Sequence, residues 1–128
     1  MTTLLVCGGR DFHNWRFVYA KLDEFRTLRP DIDRVVHGGA TGADALAGLW
    51  AHNNGIEPKA YRAAWRPNGI FDKAAGPKRN RRMMQDARPD YAVAFPGGPG
   101  TKNMVAVARR AGVLAVVWTD KDVQEFGR

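Results

Sequence analysis

Three short apolar runs in this chain each end in glycine. Leu4-Leu5-Val6-Cys7 precedes Gly8-Gly9, Arg34-Val35-Val36-His37 precedes Gly38-Gly39, and Tyr91-Ala92-Val93-Ala94-Phe95 precedes Pro96-Gly97-Gly98. A run of four or five such residues cut off by glycine is too short for a helix and reads as a buried strand. Between the runs the period changes. Val18, Leu22 and Phe25 recur at helical spacing, with Trp15 and Leu28 extending the stripe and Asn14 as the cap. Leu46, Leu49 and Trp50 share one face of a second helix, from about Gly42 to Asn53. A basic helix is expected over 78–87 and another over 101–111, with further strands at 57–61 and 113–118. Residues 62–77 show no period and read as a long loop; the polar tail after Trp118 reads as a last short turn.

Short glycine-bounded strands alternating with helices predict a doubly wound, Rossmann-like parallel sheet of about five strands, with helices on both faces. The length of 128 residues suits a single domain over 1–128. In such sheets ligands bind beyond the carboxyl ends of the strands. All three glycine stretches fall on that edge, and two lead directly into helices. The unpaired N–H groups of a helix's first turn attract anions, and glycine lets a ligand approach the backbone. One glycine turn alone is most often only a tight turn. Three on one edge point to a phosphate-bearing ligand. None matches the dinucleotide fingerprint or the Walker A pattern, which argues against a kinase or an ordinary dehydrogenase.

The motifs "GGRDF", "HGGATGADALA", "AGPKRNRRM" and "FPGGPGTKNM" occur in that order. Together they resemble the YspA-like, cpYpsA-related family of the SLOG superfamily over nearly the whole chain, and "FPGGPGT" is similar to that superfamily's PGGxGT signature. The resemblance implies a Rossmann-like fold and a nucleotide or nucleotide-derived ligand, ADP-ribose-like or a cyclic signal. The ligand set it implies is Gly8, Gly9, Arg10 and Asp11 after the first strand, and Gly38, Gly39, Ala40, Thr41, Gly42 and Asp44 after the second. Arg79 and Asn80 join from the basic helix, and Pro96, Gly97, Gly98, Gly100 and Thr101 hold phosphate. More distantly the chain resembles the lonely-guy phosphoribohydrolases, whose pattern runs PGGxGTxxE. Arg79 fits the arginine of that pattern, but the glutamate position is Met104. A thioether is neither acid nor base, so the resemblance carries ligand binding further than hydrolysis. Hydrolysis of an N-glycosidic bond, with Arg79 beside Asp44 or Asp11, is the alternative. The same relatives imply a homodimer or larger assembly.

Individual residues keep two readings. The spacing of Thr41 and Asp44 suits helix capping, with contact to a ribose hydroxyl or general-base service as the alternative for Asp44. Trp65 either stacks on a base or anchors its loop. Asn80 reads a base edge or caps its helix. His37 is expected to be a packed or capping residue rather than a catalyst.

Charge bears on partners. The chain carries +7, all of it within 59–88, where nine Lys/Arg meet only Asp72 and Asp86. Such a segment attracts phosphate, so nucleic-acid binding is a further alternative to a small nucleotide. Cys7 is the only cysteine, which excludes an internal disulfide or a multi-cysteine zinc site. No second His, Cys or carboxylate stands at metal-ligand spacing, and no motif implies a cofactor. No apolar run approaches ~18 residues and no secretion signal opens the chain, so no membrane partner and a cytoplasmic location are expected.

Overall fold

The computed structural model describes residues 1–126. Five strands form one sheet: β1 (Thr2–Cys7), β2 (Ile32–His37), β3 (Glu57–Ala60), β4 (Tyr91–Ala94) and β5 (Leu114–Val117). Their order is β3-β2-β1-β4-β5 and every pairing is parallel. The α/β, Rossmann-like architecture expected from the alternation is therefore present. From β1 the chain first builds outward through β2 to β3, then returns to the other side of β1 with β4 and β5. The reversal opens a crevice between the carboxyl ends of β1 and β4, where doubly wound sheets bind ligands.

Alternation along β1 divides the core. Leu4 and Val6 face one cluster with Phe17, Val18, Leu22, Ala47 and Trp50, supplied by α1 (Trp15–Leu28) and α2 (Ala43–Asn53). Leu5 and Cys7 face the other, with residues of α3 (Ala75–Ala87) and α4 (Pro99–Arg110), including Met83, Met84, Met104 and Val107. Asn14 caps α1 by accepting from the Phe17 N–H. The buried Trp50 indole N–H donates to Asp23 at 2.8 Å, which ties α2 to α1 and satisfies a donor that burial would otherwise leave bare.

Several expectations are corrected. Trp15 and Leu28 do not extend the buried stripe of α1; they are largely exposed. Leu49 also faces solvent, and the buried side of α2 is Trp50 with Ala43, Ala47 and Ala51, three alanines that let the helix lie close to the sheet. Both α3 and α4 begin earlier than expected, at Ala75 and Pro99. Each carries proline in its first turn, Pro77 and Pro99, where the missing N–H has no intrahelical partner to lose. The tail forms a further helix, α5 (Asp120–Glu125). A reciprocal cap starts it, with the Thr119 N–H donating to Asp122 and the Asp122 N–H to Thr119 Oγ1. Among the described residues no helix is long and apolar enough to cross a membrane.

Candidate functional site

At the β1/β4 crevice lies a cleft of about 810 Å³, within the usual range for small-molecule sites. Three turns and the first half of α3 build its walls. The turn after β1 is stitched to the turn after β4 by Gly9 N–H donating to Pro96 O at 2.9 Å. Gly9 O in turn accepts from Ala43 N–H at the head of α2. One glycine thus joins all three turns, and a Cβ there would press on Pro96 O.

The turn after β2 is held from several sides. Asp44 Oδ2 accepts from the N–H groups of Gly38 (3.1 Å) and Ala40 (3.2 Å). Thr41 Oγ1 donates to Arg10 O, and Arg62 donates to Gly39 O. The expected capping role for Thr41 and Asp44 is therefore corrected. Gly42 is the residue at the cap and no side chain caps α2; Asp44 instead bonds back to the turn that precedes its helix.

Arg79 is pinned within the site. Its Nη1 donates to Gly38 O (2.7 Å) and Tyr61 O (3.3 Å), and its Nε to Asn80 Oδ1 (2.9 Å). Asn80 is buried and donates onward to Asn103 Oδ1 at 2.9 Å, linking α3 to α4. Its buried amide joins two helices and does not cap its own.

The turn after β4 is different. Gly98 caps α4 without any side-chain bond, and no acid stands in the first turn. A Cβ on Gly98 or Gly100 would meet nothing within 4 Å, and both glycines line the cleft.

Of the residues expected at the site, all reach the cleft except Gly39, Thr41 and Gly42, which serve the turn behind it. Met104 is buried at the cleft floor among the apolar residues under α4. Phe12, Lys73, Asn103 and Asp120 also line the cleft. Of these, Asp120 carried a usable signal, since it follows the last strand on the same sheet edge. Trp65 both lines the cleft and anchors its loop: Arg10 lies 5.1 Å from its ring centroid, and Phe71 stacks on it at 6.2 Å and 12°.

Burial sets the protonation states. Desolvation pushes Asp44 up to about 6, against the lowering effects of the Ala40 N–H, Arg79 and the Gly38 N–H. Burial and the nearby Asp44 raise the Cys7 thiol to about 12, so it stays protonated and unreactive. Burial, with Arg62 and Arg79 close by, lowers His37 to about 4, which keeps it neutral; its Nδ1 accepts from Gly39 N–H at 3.0 Å. Among the described residues no cluster of three or more His, Cys, Asp or Glu side chains is placed to hold a metal.

A family model described as "YspA, cpYpsA-related SLOG family" matches residues 2–67, which include the turns after β1 and β2. The chain is also 34% identical to the gene 61 protein of Mycobacterium phage D29, over 94% of this chain and 99% of that protein. No solved structure matches it.

Proposed function

The chain belongs to the YspA, cpYpsA-related SLOG family, and from that premise we propose that it binds a nucleotide or nucleotide-derived ligand, ADP-ribose-like or cyclic, with phosphate on the Gly97–Thr101 turn. One observation carries the reading. The head of α4 opens onto the cleft through Gly98 and Gly100, which have free space above them, and the helix carries no acid in its first turn. Uncapped N–H groups at a helix N-terminus favour an anion both by hydrogen bonding and by the helix dipole. Arg79 and Arg10 add positive charge at the cleft wall.

Gly98→Val tests this. The φ of Gly98 is −99°, outside the left-handed region, and a Cβ there meets nothing within 4 Å, so valine projects into the cleft where phosphate would lie. The native protein is expected to bind AMP or ADP-ribose in calorimetry, and the variant to lose at least about tenfold in affinity with an unchanged melting curve. Absence of binding by the native protein, or equal binding by a folded Gly98→Val, overturns the reading.

Asp44 favours a second reading, cleavage of an N-glycosidic bond. A carboxyl group in a cleft, raised to about 6 and near an arginine, suits general acid–base chemistry. Release of free adenine from AMP by the native protein, lost in Asp44→Asn, would promote that reading over binding alone.

A further inference from the structure

The turn that forms one wall of the cleft has a second cavity on its other side. It measures about 560 Å³ and lies between α4 and the carboxyl end of β5. Pro96, Gly97, Thr101 and Asp120 line both cavities, so one short turn is all that separates them. Their linings differ in kind. The cleft combines turn backbone, arginine and carboxylate with apolar residues such as Phe12, Trp65 and Met104, and carries three carboxylates, Asp11, Asp44 and Asp120. The second cavity rests on Phe95 and Trp118, whose ring centroids lie 4.9 Å apart, with Val105 at its side and Lys102 and Arg109 at its rim. An apolar aromatic floor with cations at the edge accepts a planar or sugar ring joined to an anionic group.

We propose that this cavity is the subsite for the distal half of a two-headed ligand: a nucleoside diphosphate whose second phosphate carries another sugar or nucleoside. The proposal rests on the phosphate reading of the Gly97–Thr101 turn. With phosphate at the head of α4, the two ends of such a ligand leave in opposite directions, one into each cavity. Lys102 and Arg109 offset the charge of the second phosphate. Asp120, common to both cavities, can only accept hydrogen bonds when ionised, so it takes sugar hydroxyls and repels an additional phosphate. Two adjoining cavities of this size also exceed what a mononucleotide fills.

The experiment compares AMP, ADP and ADP-ribose by calorimetry on the native protein and on Ala106→Trp. Ala106 is exposed on α4 and lines the second cavity alone, so tryptophan there closes that cavity and leaves the cleft intact. Val117→Phe, on the exposed edge strand of the same cavity, is the second variant if the first does not fold. ADP-ribose is expected to bind the native protein at least tenfold more tightly than ADP or AMP. In the variant that advantage disappears while AMP binds as before. Equal native affinity for ADP and ADP-ribose overturns the proposal and leaves the phosphate turn standing. So does an ADP-ribose preference that survives both substitutions. Failure of all three nucleotides to bind the native protein overturns the phosphate turn and the second subsite together.

Discussion

Two turns of this protein share one sequence grammar, apolar strand, glycine cluster, helix, yet they differ in what their polar groups do. The turn after β2 is closed. Its N–H groups go to Asp44 and His37, its carbonyls to Arg79 and Arg62, and the carbonyls of Gly9 and Arg10 close over Gly42. The turn after β4 is open: an uncapped helix start, no acid in the helix's first turn, and empty space above Gly98 and Gly100. Glycine in the first turn lets protein approach protein, as Gly97 does against Gly9 in the second; Gly98 and Gly100 instead leave room for something else. The same residue type at the same topological position therefore serves packing in one place and access in the other.

The largest expected effect is at the closed turn. Gly42 has φ +71°, a left-handed conformation, and a Cβ there would run into the carbonyls of Gly9 and Arg10. Gly42→Ala is expected to destabilise by about 3–4 kcal/mol, a fall in Tm of roughly 10 °C. A melt within a degree of native would erase the contrast between the turns. Next comes titration at the closed turn. Folded Asp44 holds its proton up to about 6, whereas the unfolded chain releases it near 3.8, so this group's stabilisation is lost as pH rises through that window. His37 has the opposite sign. Folded it protonates only near 4, unfolded near 6.5, so its contribution grows as pH rises. The two slopes offset each other in the native protein. Asp44→Asn keeps an acceptor for the Gly38 and Ala40 N–H groups but removes one slope. Its stability is therefore expected to climb by about 3 kcal/mol from pH 4 to 6.5, read by urea denaturation at each pH. A flat profile in the variant would separate His37 from the closed turn.

Arg79→Ala comes third. It leaves Gly38 O and Tyr61 O without their donor, so a loss of roughly 2 kcal/mol in stability is expected beside any loss of ligand affinity. A variant that loses affinity alone would mean the arginine faces ligand more than protein. The smallest effect belongs to the open turn. Gly98→Val is expected to change stability by less than about 0.5 kcal/mol in chemical denaturation, and a larger loss would show that this turn too is packed.

The sheet was legible because buried parallel strands are short continuous apolar runs and glycine marks their ends. The helix starts were less so. The starts expected at 78 and 101 fell after Pro77 and Pro99, yet both prolines sit in a first turn, where a helix tolerates proline. Periodicity also overstated the core: Leu49 and Leu28 fit a helical stripe, but which of two adjacent faces meets the sheet is decided by the packing of Ala47 and Trp50. Asp44 shows the same limit at the site. Spacing alone suggested a cap for its own helix, and only the folded path of Gly38–Ala40 brings that loop's N–H groups back to the carboxylate. Gly39 and Gly42 read as ligand contacts for the same reason, since sequence cannot tell which side of a turn faces a cavity. The cavity between α4 and β5 left no trace in the sequence, because its lining comes from segments whose proximity exists only after folding.

The strand order also bears on how the molecule comes into being. β1 is made first but lies at the middle of the sheet, where Leu4 pairs with Val35 on one side and Tyr91 on the other. A chain emerging from the ribosome can pair β1 with β2 early, yet the opposite edge of β1 stays bare until β4 is synthesised. Over that interval Leu4, Leu5 and Val6 present an open hydrogen-bonding edge to any other extended segment nearby. The arrangement that places a crevice between β1 and β4 in the finished protein thus makes the same gap the seam that waits longest for its second strand, and that wait is the interval of greatest exposure to misassembly.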